Sequence, residues 1–106
     1  MTTEQKIALE YLDQLYYLSM EVSVDKSKNE TYLDMQTNLE NIIAQTTGEG
    51  RTLLRLRYIN FCLWPEIQER MFISESTRKR KHKKALSQVY NILKKLDLID
   101  PLRGQV

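Results

Sequence analysis

An all-α fold is predicted by three observations. Gly and Pro are scarce, at three and two among 106 residues, while Leu, Ile, Lys, Glu and Gln are plentiful. Apolar residues recur at steps of three and four in several windows, the spacing of one helix face. No segment shows the period-two alternation of a half-buried strand. A chain of 106 residues is long enough for one modest core and not for two, so residues 1–106 are expected to form a single domain.

The first helix is predicted over about residues 3–22. Ile7, Tyr11, Leu15, Leu18 and Val22 set its stripe, with Ala8 and Leu12 widening it; Thr3 is the expected N-cap and Glu4 lies in the first turn. The polar run 23–29 lacks periodicity and reads as a loop. A second helix follows from about Glu30 to Gln45, with Tyr32, Met35, Leu39, Ile42 and Ile43 on one face and Gly48 as its left-handed stop. The third begins near Arg51 and carries Leu53, Leu54, Tyr58, Ile59 and Phe61. Pro65 suits the first position of a short fourth helix, where its missing N–H costs nothing, with Ile67 and Met71 inward. Ser74 is the N-cap expected for a long last helix, with Glu75 in its first turn and Ala85, Val89, Ile92, Leu93 and Leu96 on its apolar face. Pro101 ends any continuation, and residues 102–106 read as a frayed tail.

Charge divides the chain. Residues 1–50 carry three basic and nine acidic side chains, a balance of −6; residues 51–106 carry thirteen and five, a balance of +8. Phosphate would be repelled by the first half and drawn to the second. No window of eighteen apolar residues exists to span a membrane, and the polar N-terminus lacks a signal-peptide core, so a cytoplasmic location is expected. The single cysteine, Cys62, fits a reducing compartment and reads as a small buried residue.

The stretch 63–96 holds a short helix signal, the turn Phe72-Ile73-Ser74, and a helix opening Arg78-Lys79-Arg80-Lys81-His82-Lys83-Lys84. Two helices joined by three or four residues, the second basic at its start, describe a helix-turn-helix whose basic end enters a DNA major groove. Counting back from Val89 and Ala85 puts His82 or Lys81, then Arg78, at the core edge, and Glu75, Ser76, Lys79, Arg80 and Lys83 toward solvent. Ser76, Lys79 and Arg80 are the expected base contacts, and Arg78, Lys83 and Lys84 the expected phosphate contacts. Most of the run supplies salt-sensitive affinity without sequence preference. A basic run alone also suits a solvated helix face; its position after a turn and N-cap favours DNA.

Leu54-Arg55-Leu56-Arg57-Tyr58-Ile59, Trp64-Pro65-Glu66-Ile67, Ile73-Ser74 and Lys84-Ala85-Leu86 resemble the ArpU/RinA-type regulators of phages and mobile elements, and Ala8-Leu9-Glu10-Tyr11-Leu12 resembles their N-terminal half. The resemblance covers most of the chain. It implies a sigma-factor-like three-helix unit behind two N-terminal helices, and control of late phage or prophage genes by binding near a promoter, with RNA polymerase as a possible contact. Arg78 departs from the pattern, standing where sigma-like sequences place an apolar residue, so either its stem runs along the core or the helix register differs slightly. Pro65 replaces a residue that is usually polar and helical, a change that the first turn tolerates.

The organisation expected is therefore residues 1–47 as acidic helices forming a partner or dimer surface and residues 51–98 as the DNA-binding unit. Double-stranded DNA is the expected partner, and a homodimer the natural route to affinity for so small a module. The rival readings are an adaptor that binds a terminase or RNA polymerase subunit, and a protein that binds packaging-site DNA. Adjacent aromatics on one helix cannot share a core, so one of Tyr16 and Tyr17 is assigned to a partner or dimer interface. Trp64 is expected to pack the short helix onto its neighbour. His82 and Cys62 lack metal-ligand spacing, Glu66 and Glu69 read as an exposed face, and Gly48-Glu49-Gly50 is too short to cradle phosphate. No enzyme activity, cofactor or metal is expected.

Overall fold

The computed structural model describes residues 1–22 and 29–98, with the side chains of all of these except 19–22, 29–32 and 35. Among the described residues five helices follow in order: α1 (Thr3–Val22), α2 (Asn29–Gln45), α3 (Gly48–Leu54), α4 (Trp64–Met71) and α5 (Glu75–Lys95), with a π-helical turn (Arg55–Ile59) continuing α3. No strand occurs among the described residues. No described helix is long and apolar enough to cross a membrane.

The cap of α1 is Thr2, one residue earlier than expected at Thr3. Thr2 Oγ1 accepts from the Gln5 N–H at 3.1 Å, and Gln5 Oε1 accepts from the Thr2 N–H at 3.0 Å, so two helix-end donors are satisfied reciprocally. The buried stripe centres on Ala8, Leu12 and Leu15; Ile7, Tyr11 and Leu18 flank it half-buried. The positions expected at Val22, Tyr32 and Met35, the loop 23–28 and the tail after 98 lie outside the described residues or side chains.

α2 buries Leu39, Ile42 and Ile43. Its terminal carbonyls find partners at once: Thr46 Oγ1 donates to Ile43 O at 2.6 Å, and Arg51 donates to Thr46 O and Ala44 O at 2.8 and 3.0 Å. Gly48 does take the left-handed conformation, at φ 65°, but α3 already starts there, ahead of the expected Arg51. Gly50 lets α3 approach α5 closely, since a Cβ built on it would stand 3.2 Å from Ala85 Cβ.

The third helix does not run regularly to Phe61. It widens into the π turn, where Asn60 N–H donates to Arg55 O at 2.9 Å and Cys62 N–H to Leu56 O at 2.8 Å. Phe61 then takes φ 55° and ends the element.

α5 is the central rod. Ala85, Leu86, Val89, Ile92 and Leu93 share one core with Ala8, Leu12 and Leu15 of α1, Leu39, Ile42 and Ile43 of α2, and Leu54 and Tyr58. Each fully buried Leu or Ile here contributes about 1.5–3 kcal/mol by leaving water. A smaller cluster of Leu53, Cys62 and Ile67, with Leu56, Trp64 and Met71 against it, seats α4. Leu96, expected on the apolar face, lies past the last helical turn and is 41% exposed, while Leu98 N–H closes the helix end on Leu93 O at 2.9 Å.

Candidate nucleic-acid interface

α4 starts at Trp64, so Pro65 is its second residue instead of its first; either position spares the helix a lost hydrogen bond. The Leu63 N–H donates to Glu66 Oε1 at 3.1 Å and closes the helix start. At the other end Phe72 adopts φ 55° and ψ 46°, and Ile73 N–H reaches back to Gln68 O at 3.0 Å. Three residues, 72–74, then separate α4 from α5. Ser74 caps α5 as expected, its Oγ accepting from Thr77 N–H at 3.2 Å, with Glu75 in the first turn where the helix dipole favours an anion.

Helical geometry then sorts the basic run. Ser76, Lys79, Arg80, Lys83 and Lys84 are exposed, whereas His82, Ala85, Leu86 and Val89 on the other side are buried. Lys79 Nζ lies 3.3 Å from Glu75 Oε1 in an exposed pair, and Lys81 turns sideways to Glu49 of α3 at 3.1 Å. Arg80, Lys83 and Lys84 make no ion pair with any described residue. Three cations with uncommitted charge therefore project from consecutive turns of one exposed face.

Arg78 is placed differently from the expected phosphate contact. Only 12% of its side chain is exposed, its guanidinium carbon sits 4.4 Å from the centre of the Trp64 ring, and Nε donates to Gln68 Oε1 at 3.1 Å. The stem covers apolar surface while the head finds a π face and an acceptor, so this arginine fixes α5 against α4.

Arg57, on the π turn, approaches the same indole at 4.6 Å and the Tyr16 ring at 4.9 Å, and donates from Nη1 to Cys62 O at 3.1 Å. Beneath them the His82 ring lies 4.8 Å from Trp64, and its Nε2 shares a 3.0 Å hydrogen bond with the Tyr58 hydroxyl. Burial, and then the charges of Arg78 and Arg57, hold the His82 pKa down at about 4, so the imidazole is neutral near pH 7. Burial, and then the charge of Asp13, push the Tyr58 phenol upward.

Of the two tyrosines assigned to an interface, Tyr17 faces water at 62% exposure, while Tyr16 is half-buried and packs on Phe61 at 5.8 Å. Trp64 packs α4 onto its neighbours, as expected from sequence. In the sequence Arg57 stood only as part of the stretch 54–59 and Phe72 only as part of the turn, neither with a role of its own; the tie of Gln5 to α5, donating to Lys83 O and Ser87 Oγ at 3.1 and 3.0 Å, had half a signal in the pattern Thr2-x-x-Gln5. Among the described residues no group of three or more His, Cys, Asp or Glu is arranged to hold a metal ion. Comparison with protein-family models, curated proteins and solved structures returns no match.

Proposed function

We propose that this chain is a sequence-specific DNA-binding transcriptional regulator of phage or mobile-element genes, with α4 and α5 acting as a sigma-like helix-turn-helix. The observation that carries the reading is the uncovered face at the start of α5: Ser76, Lys79, Arg80, Lys83 and Lys84 are all exposed, behind a three-residue turn and a Ser74 cap. N-terminal residues of such a helix meet base edges, so Ser76, Lys79 and Arg80 are the base contacts and Lys83 and Lys84 the phosphate grips. Arg78 acts in this scheme as a positioning residue. The acidic α1 and α2 offer the dimer or polymerase-facing surface, with Tyr17 on its exposed side, and no catalytic step is assigned.

One observation favours the protein-adaptor rival: Phe72, at the tip of the turn, is 95% exposed. An apolar ring held in water at that place also suits a terminase or polymerase subunit. Selection of bound duplexes from a random pool, with light scattering for oligomer size, separates the readings. Enrichment of one short motif bound by a dimer supports the regulator. No enrichment, together with stoichiometric co-purification of a protein, overturns it; a ring-shaped oligomer on DNA favours packaging.

A further inference from the structure

Between α1, the π turn and the first half of α5 lies a groove of about 400 Å³, within the size range of small-molecule sites. Its walls include four aromatic rings, Tyr16 and Tyr17 from α1, Tyr58 from the π turn and Trp64 from α4. Cations prevail on it: among the described lining residues Arg57, Arg78, Lys79 and Lys83 face one carboxylate, Asp13, with Glu75 beside Arg78 and Lys79. The geometry points to a mononucleotide site in this groove, with the base on the exposed Tyr17 ring, the phosphate on Lys79 and Lys83, and the base edge toward Asp13.

Each part of that ligand answers to a feature of the groove. Tyr17, largely exposed, offers a free face for stacking. Lys83 has no ion pair with a described residue, and Lys79 holds only the exposed Glu75, a contact that an incoming phosphate readily replaces. Asp13 is an acceptor, held half-buried where burial raises its pKa and Arg57 lowers it. A carboxylate there repels a plain aromatic acid but accepts from a base bearing N–H donors. Guanine, with two adjacent donors on its edge, fits best. Because Lys79 and Lys83 also belong to the cationic face of α5, an occupied groove withdraws two cations from that face. This coupling rests on the DNA-binding reading; the site itself does not.

Trp64 is the sole tryptophan, so its fluorescence in the full chain reports the groove directly. Titration with guanosine 5′-monophosphate is expected to quench it saturably, with guanosine and inorganic phosphate each at least roughly tenfold weaker, since each keeps only stacking or only charge. Tyr17→Ala and Lys83→Ala, both at exposed positions, weaken the nucleotide by about tenfold each without changing the thermal melt. Asp13→Asn removes the preference for guanosine over adenosine monophosphate. A response that never saturates, or one equalled by phosphate alone, overturns the site. Saturable binding that leaves DNA affinity unchanged overturns the coupling only, and saturable binding by a chain that binds no DNA overturns the regulator reading while the site stands.

Discussion

The Tyr58 hydroxyl lies 3.0 Å from Nε2 of His82, and both residues are buried. The bond joins the π turn to α5 at the place where the basic half of that helix gives way to its apolar half. Trp64 covers the imidazole, and Arg57 and Arg78 both stack on Trp64. A single polar hub therefore sets how α4, the π turn and α5 meet.

Stability should fall in mild acid through His82. The imidazole titrates near 6.5 in the unfolded chain and about 4 in the folded one, so the folded state holds it neutral. The contribution is complete above about pH 6.5 and is lost as the pH drops toward 4, amounting to roughly 3 kcal/mol at the acid end. Urea melts from pH 7.5 to 4 should show this slope, and His82→Gln should flatten it; equal slopes in both proteins would remove His82 as the cause.

Tyr58→Phe keeps the ring and deletes the hydroxyl, leaving His82 Nε2 without its partner in a buried setting. A loss of about 1–3 kcal/mol is expected by chemical denaturation. The folded-state His82 titration, followed by its ring proton shifts, should move with it.

Arg78 and Arg80 should separate stability from recognition. Arg78→Ala removes the stack on Trp64 and the bond to Gln68, costing about 1–3 kcal/mol of folding stability. Arg80→Ala should change stability by less than about 0.5 kcal/mol. Its loss should appear as about 1–3 kcal/mol less discrimination at one base pair, read by competition gel shifts. Lys84→Ala should weaken all duplexes alike and reduce the salt slope by about 1. The reverse pattern for Arg78 and Arg80 would contradict these placements.

Phe72 carries a left-handed backbone with its ring in water. Phe72→Gly relieves a strain of about 1–2 kcal/mol and gives back part of it as unfolded-chain entropy, so a net gain of up to about 1 kcal/mol is expected. Phe72→Ala, which keeps a Cβ, should bring no gain. Thermal melts of the two variants decide this.

Gln5→Ala should fray α1 and release its start from α5, because one side chain both caps Thr2 and holds Lys83 O and Ser87. A loss of about 1–2 kcal/mol is expected, with faster amide exchange in the first turn of α1.

Helix number and order were legible in the sequence because long amphipathic periods and a Ser cap are local signals. Ala85, Val89, Ile92 and Leu93 could be placed on one face from spacing alone, and so could the solvent side of Lys79, Arg80 and Lys83. Ends and irregularities were not. Whether Thr2 or Thr3 caps α1 depends on which hydroxyl meets Gln5, and the tie of the π turn to α5 joins Tyr58 to His82 across 24 residues, a separation that no local signal spans. Arg78 shows the limit most clearly: register put it at the core edge while charge suggested phosphate, and the indole and amide beside it favour packing.

α5 is one uninterrupted rod of about 30 Å, from Glu75 to Lys95. Its leading turns bear the free cations, and its trailing turns are clamped between α1 and α2. The acidic and basic halves of the chain thus divide charge without dividing the fold. Excising residues 51–98 would strip Leu86, Val89 and Leu93 of their cover, so the exposed cations at one end of α5 stand on a core built at the other.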